Sequence, residues 1–150
     1  IYDGATPSGN SVALMNILRL SHMTGNLDLA NISGQIMRTF AETVNNYPSG
    51  YTQFLCALDF ALGPTKEIVI AGDTGSEDTK QILKEIRRRF LPGKVVILHP
   101  EKDKSIEEII GFVKEQKAID GKATAYICEN YACKAPANDM NRIKKLLDER

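Results

Sequence analysis

Charge is segregated along this chain. Residues 1–65 carry only Asp3, Arg19, Asp28, Arg38, Glu42 and Asp59, whereas the remaining 85 residues carry 17 basic and 15 acidic side chains. A segment with so few charges has little polar surface of its own, so its helices must be buried on several sides, by one another and by something larger. The second segment has enough charge to face water unaided. The sequence therefore predicts two parts: a helical segment, 1–65, and a part of different character, 66–150.

In the first part, Ser8-Gly9-Asn10-Ser11 offers capping oxygens just before Val12, Leu14, Met15, Ile17 and Leu18, and Gly25 supplies a stop, which predicts a helix over about 10–23. Leu29, Ile32, Ile36, Met37, Phe40 and Val44 recur at three- and four-residue steps until Asn45-Asn46-Tyr47-Pro48 breaks the run. Tyr51, Phe54, Leu55, Leu58 and Leu62 continue the period up to Gly63-Pro64. Short connections then join three helices expected to pack antiparallel. Cys56, within the third apolar stretch, reads as core, and His22 reads as a partner of the carbonyls at a helix end.

The period changes after residue 65. Residues 67–72, 95–98 and 123–128 are short, β-branched apolar runs that read as buried strands. Between them lie Ile82, Leu83, Ile86 and Phe90, then Ile106, Ile109, Ile110 and Val113, both at helical spacing. Each is introduced by a possible capping box, Thr74 with Glu77 and Ser105 with Glu108. A last helix follows Asn138. The order βαβαβα predicts an α/β fold with a small three-stranded parallel sheet appended to the helices.

A parallel sheet sends every strand-to-helix loop to one edge, where open α/β sheets bind ligands. Asp73, His99, Cys128 and Cys133 are thereby expected to be neighbours. The loop of residues 71–76 could present backbone N–H groups to a phosphate at the following helix N-terminus, but it lacks both the G-x-x-x-x-G-K-[ST] and the G-x-G-x-x-G signatures, so a tight turn into a capped helix is the favoured reading and no cofactor is expected. Cys128 and Cys133 have four residues between them. A Cys packed at the end of a buried strand with a second thiol in a loop, a disulfide or redox pair, and zinc ligation completed by His99 and Asp73 all remain open. No catalytic triad is legible, and no carboxylate partner for either histidine is evident. Glu107-Glu108 and Arg87-Arg88-Arg89 read as solvated helix faces.

The 19 basic and 19 acidic side chains cancel, so nucleic acid is not an expected partner. The longest uncharged apolar run falls far short of the roughly 18 residues of a membrane span, so no membrane partner is expected. Ile1 is preceded by no Met and opens no signal peptide, and three cysteines are too few and odd for a disulfide framework. A cytoplasmic piece of a longer polypeptide is the expectation, completed by the rest of that polypeptide or by self-association through the helical half.

Residues 3–11, Asp-Gly-Ala-Thr-Pro-Ser-Gly-Asn-Ser, the strand at 67–72, and the tail Ala125-Tyr126-Ile127-Cys128-Glu129-Asn130-Tyr131-Ala132-Cys133-Lys134-Ala135-Pro136 together resemble one family. It is the family of spermatogenesis-associated, thioredoxin-domain-containing proteins, and the resemblance is to their C-terminal region. It implies a thioredoxin-like domain outside this chain and a six-hairpin α/α toroid related to N-acylglucosamine 2-epimerases and six-hairpin glycosidases, of which residues 1–65 would supply the last helices. It places Asp3, Pro7, Ser8, Gly9 and Asn10 at a cavity rim, where a small carbohydrate would be the ligand, although for Ser8 and Asn10 the N-cap reading is favoured because it is satisfied locally and requires no ligand. Three functional readings follow: a non-catalytic terminal region, part of a carbohydrate-active or epimerase-like enzyme, or a redox or metal module built on Cys128 and Cys133. Glycoside chemistry needs two suitably spaced carboxylates, and residues 1–65 offer no such pair.

Overall fold

In the computed structural model, which describes residues 1–129 and 132–149, the apolar spacings of the first part become three helices: α1 (Gly9–Thr24), α2 (Leu27–Asn46) and α3 (Thr52–Leu62). Ser8 is the N-cap of α1, its side chain accepting from the Ser11 N–H, and Gly25 closes the helix by donating to the Ser21 carbonyl. The helix buries Ser11, Leu14, Leu18 and Ser21, one stripe at three- and four-residue steps. Asn26 caps α2 through its side-chain oxygen, which accepts from Asp28 and Leu29. Helix α1 packs against both α2 and α3.

Burial in this unit is incomplete. Of the 20 residues of α2, only Ser33 and Val44 are buried, and Ile32 lies exposed. Helix α3 buries Phe54, Ala57 and Phe60. Cys56, expected in the core, is exposed instead, because it lies off that stripe. The ring of His22 meets Phe60 edge-on, with centroids 5.3 Å apart.

The chain divides into two units, Ile1–Gly63 and Pro64–Arg150. The second contains strands β1 (Lys66–Ala71), β2 (Lys94–His99), β3 (Thr124–Glu129) and β4 (Ala132–Cys133), with helices α4 (Glu77–Arg87), α5 (Ser105–Ile109) and α6 (Met140–Asp148). The sheet order is β2-β1-β3-β4. β1 and β2 are parallel, as the α4 crossover requires, but β3 runs antiparallel to β1, from Ala71 opposite Thr124 to Lys66 opposite Glu129.

The expected three-stranded parallel sheet is therefore corrected to a mixed, four-stranded one, and the cause lies in α5. Recrossing a six-residue strand of about 20 Å takes roughly 13 helical residues, whereas α5 has five and gives way to a 3-10 turn at Gly111–Glu115. The chain stays at the edge where β2 ended. There Asp120 (φ 55°) and Gly121 (φ 67°) form a left-handed two-residue turn that joins Ile119 to Lys122 and sends β3 back beside β1.

One sheet face, with Ile68, Ile70, Ala125 and Ile127, packs on Ile82 and Ile86 of α4 and on Ile143, Leu146 and Leu147 of α6. Gly72 lets this packing close: a Cβ there would stand 2.6 Å from Thr79 Oγ1 and 2.9 Å from the Ala123 Cβ. Buried Lys66 donates to the carbonyls of Leu146 (3.1 Å) and Glu149 (2.5 Å), satisfying the end of α6. Arg89, read as solvated surface, instead joins the helices, pairing with Glu85 of α4 and, through Nε and Nη2, with Asp148 of α6 at 2.7 and 3.1 Å. Phe90 lies beyond α4 and is 92% exposed rather than part of its apolar face.

Neither capping box forms. Ser76 is the N-cap residue of α4, its hydroxyl donating to the Asp73 carbonyl, and Asp103 accepts from the Ser105 N–H ahead of α5. Among the described residues, no helix is long and apolar enough to cross a membrane.

Candidate functional site

The direction of β3 separates the residues expected to meet. Asp73 and His99 stand at the edge where β1 and β2 end, while Cys128 lies opposite Glu67 near the start of β1. The expected cluster of Asp73, His99, Cys128 and Cys133 is therefore two separate places at opposite edges of the sheet.

At the first edge, a cavity of about 270 Å³ is lined by Asp73, Thr74, Pro100, Glu101, Lys102 and Asp103. Asp73 accepts from the Gly75 N–H (2.9 Å) and from Lys102 Nζ (3.2 Å). Those two donors, the Gly75 N–H foremost, hold its carboxyl below the usual range. Both side chains are largely exposed to water.

His99 is 1% exposed and does not open into that cavity as a reactive group. Its Nδ1 lies 2.7 Å from the Gln116 carbonyl and its Nε2 lies 2.9 Å from Glu107 Oε1, which also accepts from Lys104 Nζ at 2.7 Å. The Lys104 bond first, and the His99 bond second, keep the Glu107 carboxyl below its ordinary range. The ring thus pins α5 and the following 3-10 turn to the end of β2. Glu107 is the carboxylate partner that sequence reasoning misses: with Glu108 it reads as solvated surface, and a five-residue helix carries too few turns for an inward face to show in the spacing.

At the opposite edge, Cys128 and Cys133 face each other across β3 and β4 and are joined as a disulfide, with Cα atoms 3.8 Å apart. The Lys134 N–H donates to the Ile127 carbonyl next to them, which makes the cysteines a non-hydrogen-bonded antiparallel pair, the position where facing side chains come closest. The sulfurs bond to each other, and His99 and Asp73 stand at the far edge, so the zinc arrangement weighed above does not assemble. Among the described residues, no group of three His, Cys, Asp or Glu side chains is placed to hold a metal ion. Asn130 and Tyr131, within the same motif, lie outside the described residues.

The residues expected at a cavity rim are organised by Asp3, and none of them lines a cavity described here. Its carboxylate is buried and accepts from the Ser8 N–H (2.7 Å), the Ser11 hydroxyl (3.1 Å) and the Phe54 N–H (3.0 Å). Burial opposes ionisation, but these bonds and the Ser8 hydroxyl outweigh it and lower the pKa. Helix α3 has no side-chain cap from its own N-cap residue, Tyr51, so Asp3 caps it from 51 residues away. Ser8 is itself a cap, and Pro7, Gly9 and Asn10 are exposed around it.

On the same unit, an apolar groove of about 380 Å³ runs between α2 and α3, lined mainly by Met37, Ala41, Val44, Phe54, Leu55 and Leu58.

Comparison with known proteins identifies similar sequences. The chain is 34% identical over 146 residues to spermatogenesis-associated protein 20 of Homo sapiens, an alignment covering 97% of this chain and 19% of that protein. The Rattus norvegicus protein of the same name is 34% identical over 148 residues, covering 98% of this chain and 19% of its own length. An uncharacterized protein of Caenorhabditis elegans is 26% identical over 149 residues, covering 98% and 20% respectively. The chain thus spans about a fifth of the length of these relatives and matches one region of a longer polypeptide. No family model and no solved structure matches it.

Proposed function

We propose that this region has an architectural role within a longer polypeptide: its helices complete an α/α toroid, and its α/β unit is an appended module. The observation that carries this reading is α2. Its apolar residues recur over five turns as they would in a core helix, yet only Ser33 and Val44 are buried. The groove beside it is apolar, and Leu27, Leu62, Leu20 and Val12 lie exposed on the same unit. That much uncovered apolar surface calls for a cover. We take the cover to be helices from the remaining four-fifths of a polypeptide like the relatives, because the unit's six charges leave it little polar surface of its own. The thioredoxin-like domain implied by the sequence resemblance would lie in that remainder.

The test uses the 150-residue chain. Its groove should bind a hydrophobic dye and drive self-association in sedimentation, and the double variant Met37→Glu, Leu58→Glu should restore a monomer with the same helix content. A wild-type chain that is monomeric and binds no dye would refute the proposal.

A further inference from the structure

The Cys128–Cys133 bond is poorly placed to be a staple. It closes a loop of a few residues between neighbouring strands, where cross-linking removes the least freedom from the unfolded chain. It joins no two elements of the core. Strand β4 has only two residues, both exposed, at the edge of the sheet order. Both ends of the segment are secured without it. On one side β3 is paired along β1. On the other, Ala137 exchanges two backbone hydrogen bonds with Ala125, at 2.8 and 3.0 Å. The α/β core therefore does not depend on the bond.

The two cysteine residues also differ in exposure. Cys128 is 6% exposed, on the inner strand, whereas Cys133 is exposed on the edge strand. Such an asymmetry gives thiol–disulfide exchange a direction, because an incoming thiolate must reach the sulfur it attacks and the other sulfur must leave.

From this geometry we infer that Cys128 and Cys133 form a thiol–disulfide exchange site, taking an external dithiol as its reductant and entered through Cys133. A thiolate of the dithiol attacks Cys133 Sγ. The bond between the cysteines breaks, and Cys128 leaves as a thiolate that takes up a proton. The second thiol of the reagent then attacks the mixed disulfide, releases Cys133 as a thiol and leaves the reagent as a cyclic disulfide. Two electrons pass from the dithiol to the cystine, and the reverse sequence re-forms it. Opening frees β4 between its two anchors and releases Lys134, whose ammonium lies 3.9 Å from the Glu149 carboxylate beyond α6. The site lies on the α/β unit and does not depend on the architectural role proposed for the helices.

The experiment uses the whole chain in a Cys56→Ser background, which removes the exposed third thiol. Dithiothreitol under native conditions should reduce the pair while the amides of β1 and β3 keep their hydrogen-exchange protection and that of Lys134 loses it. Single variants test the direction: with oxidised glutathione, Cys128→Ser should trap a mixed disulfide on Cys133 about tenfold or more faster than Cys133→Ser traps one on Cys128, following the difference in access. A pair that stays oxidised in excess dithiol until the sheet unfolds would overturn the proposal, as would equal trapping by the two variants.

Discussion

Replacing Asp3 tests how the helical unit is held together. Its carboxylate serves two helix starts, through the Ser8 N–H at 2.7 Å and the Phe54 N–H at 3.0 Å, and it receives the Ser11 hydroxyl at 3.1 Å. Losing one side-chain cap costs about 0.5–2 kcal/mol, and a buried donor left without an acceptor costs about 1–3 kcal/mol. These losses share one carboxylate and are not additive, so Asp3→Ala should cost roughly 3 kcal/mol. For a unit of this size that lowers the melting temperature by on the order of 10–20 °C. Asp3→Asn keeps one acceptor and should lose less. Hydrogen exchange reads the two units separately: the Phe54 amide should exchange faster, while those of Ile68 and Ile70 in β1 should not change. Acid adds a second readout. Because the folded-state pKa lies below the unfolded value of about 3.9, the stability from Asp3 is fully present above that value and is lost as pH falls through the folded pKa. Wild type should therefore lose helical stability in acid more steeply than Asp3→Asn. An Asp3→Ala chain within about 1 kcal/mol of wild type, or one destabilised equally in both units, would refute the capping account.

Other substitutions probe the α/β unit. Gly72→Ala places a Cβ 2.6 Å from Thr79 Oγ1 and 2.9 Å from the Ala123 Cβ, and should cost about 1–3 kcal/mol in urea unfolding. Gly121→Val, at φ 67°, should cost about 1 kcal/mol or more, whereas Gly111→Ala, which meets nothing within 4 Å, should be nearly neutral in the same assay. Lys66→Met removes both donations to the end of α6 and should cost about 1–3 kcal/mol, with faster amide exchange confined to that helix and the strand beside it. In the native oxidised chain, a thiol reagent followed by mass spectrometry should label one cysteine, Cys56.

Much of the secondary structure was legible because it rests on repeated local signals. Leu14 and Leu18, or Phe54, Ala57 and Phe60, occupy one face of a helix wherever that helix packs, and the β-branched runs at 67–72 and 95–98 become strands for the same reason, the first buried throughout and the second at alternate residues. The signals failed where an element was short. Ile106, Ile109, Ile110 and Val113 have helical spacing, but α5 ends at Ile109 and a 3-10 turn carries Val113 into the core. A longer helix would have recrossed the sheet and made β3 parallel. The short one left β3 antiparallel and moved Cys128 to the edge opposite His99.

The site chemistry was less legible because its partners meet only in space. Asp3 and Phe54 are 51 residues apart, and His99 and Glu107 share no periodic relation. Between two free thiols, a metal site and a disulfide, the spacing of Cys128 and Cys133 allowed every answer, and the register of β3 with β4 selected one.

The charge segregation, the helical period of the first 65 residues and the α/β composition of the rest belong to the sequence alone, because each sums many weak preferences that point the same way. Strand direction, the capping of α3 by Asp3, the burial of His99 against Glu107 and the pairing of the cysteines belong to the tertiary structure. Each turns on one short connection or a few hydrogen bonds of about 1–3 kcal/mol, contacts whose partners are brought together only when the chain has folded.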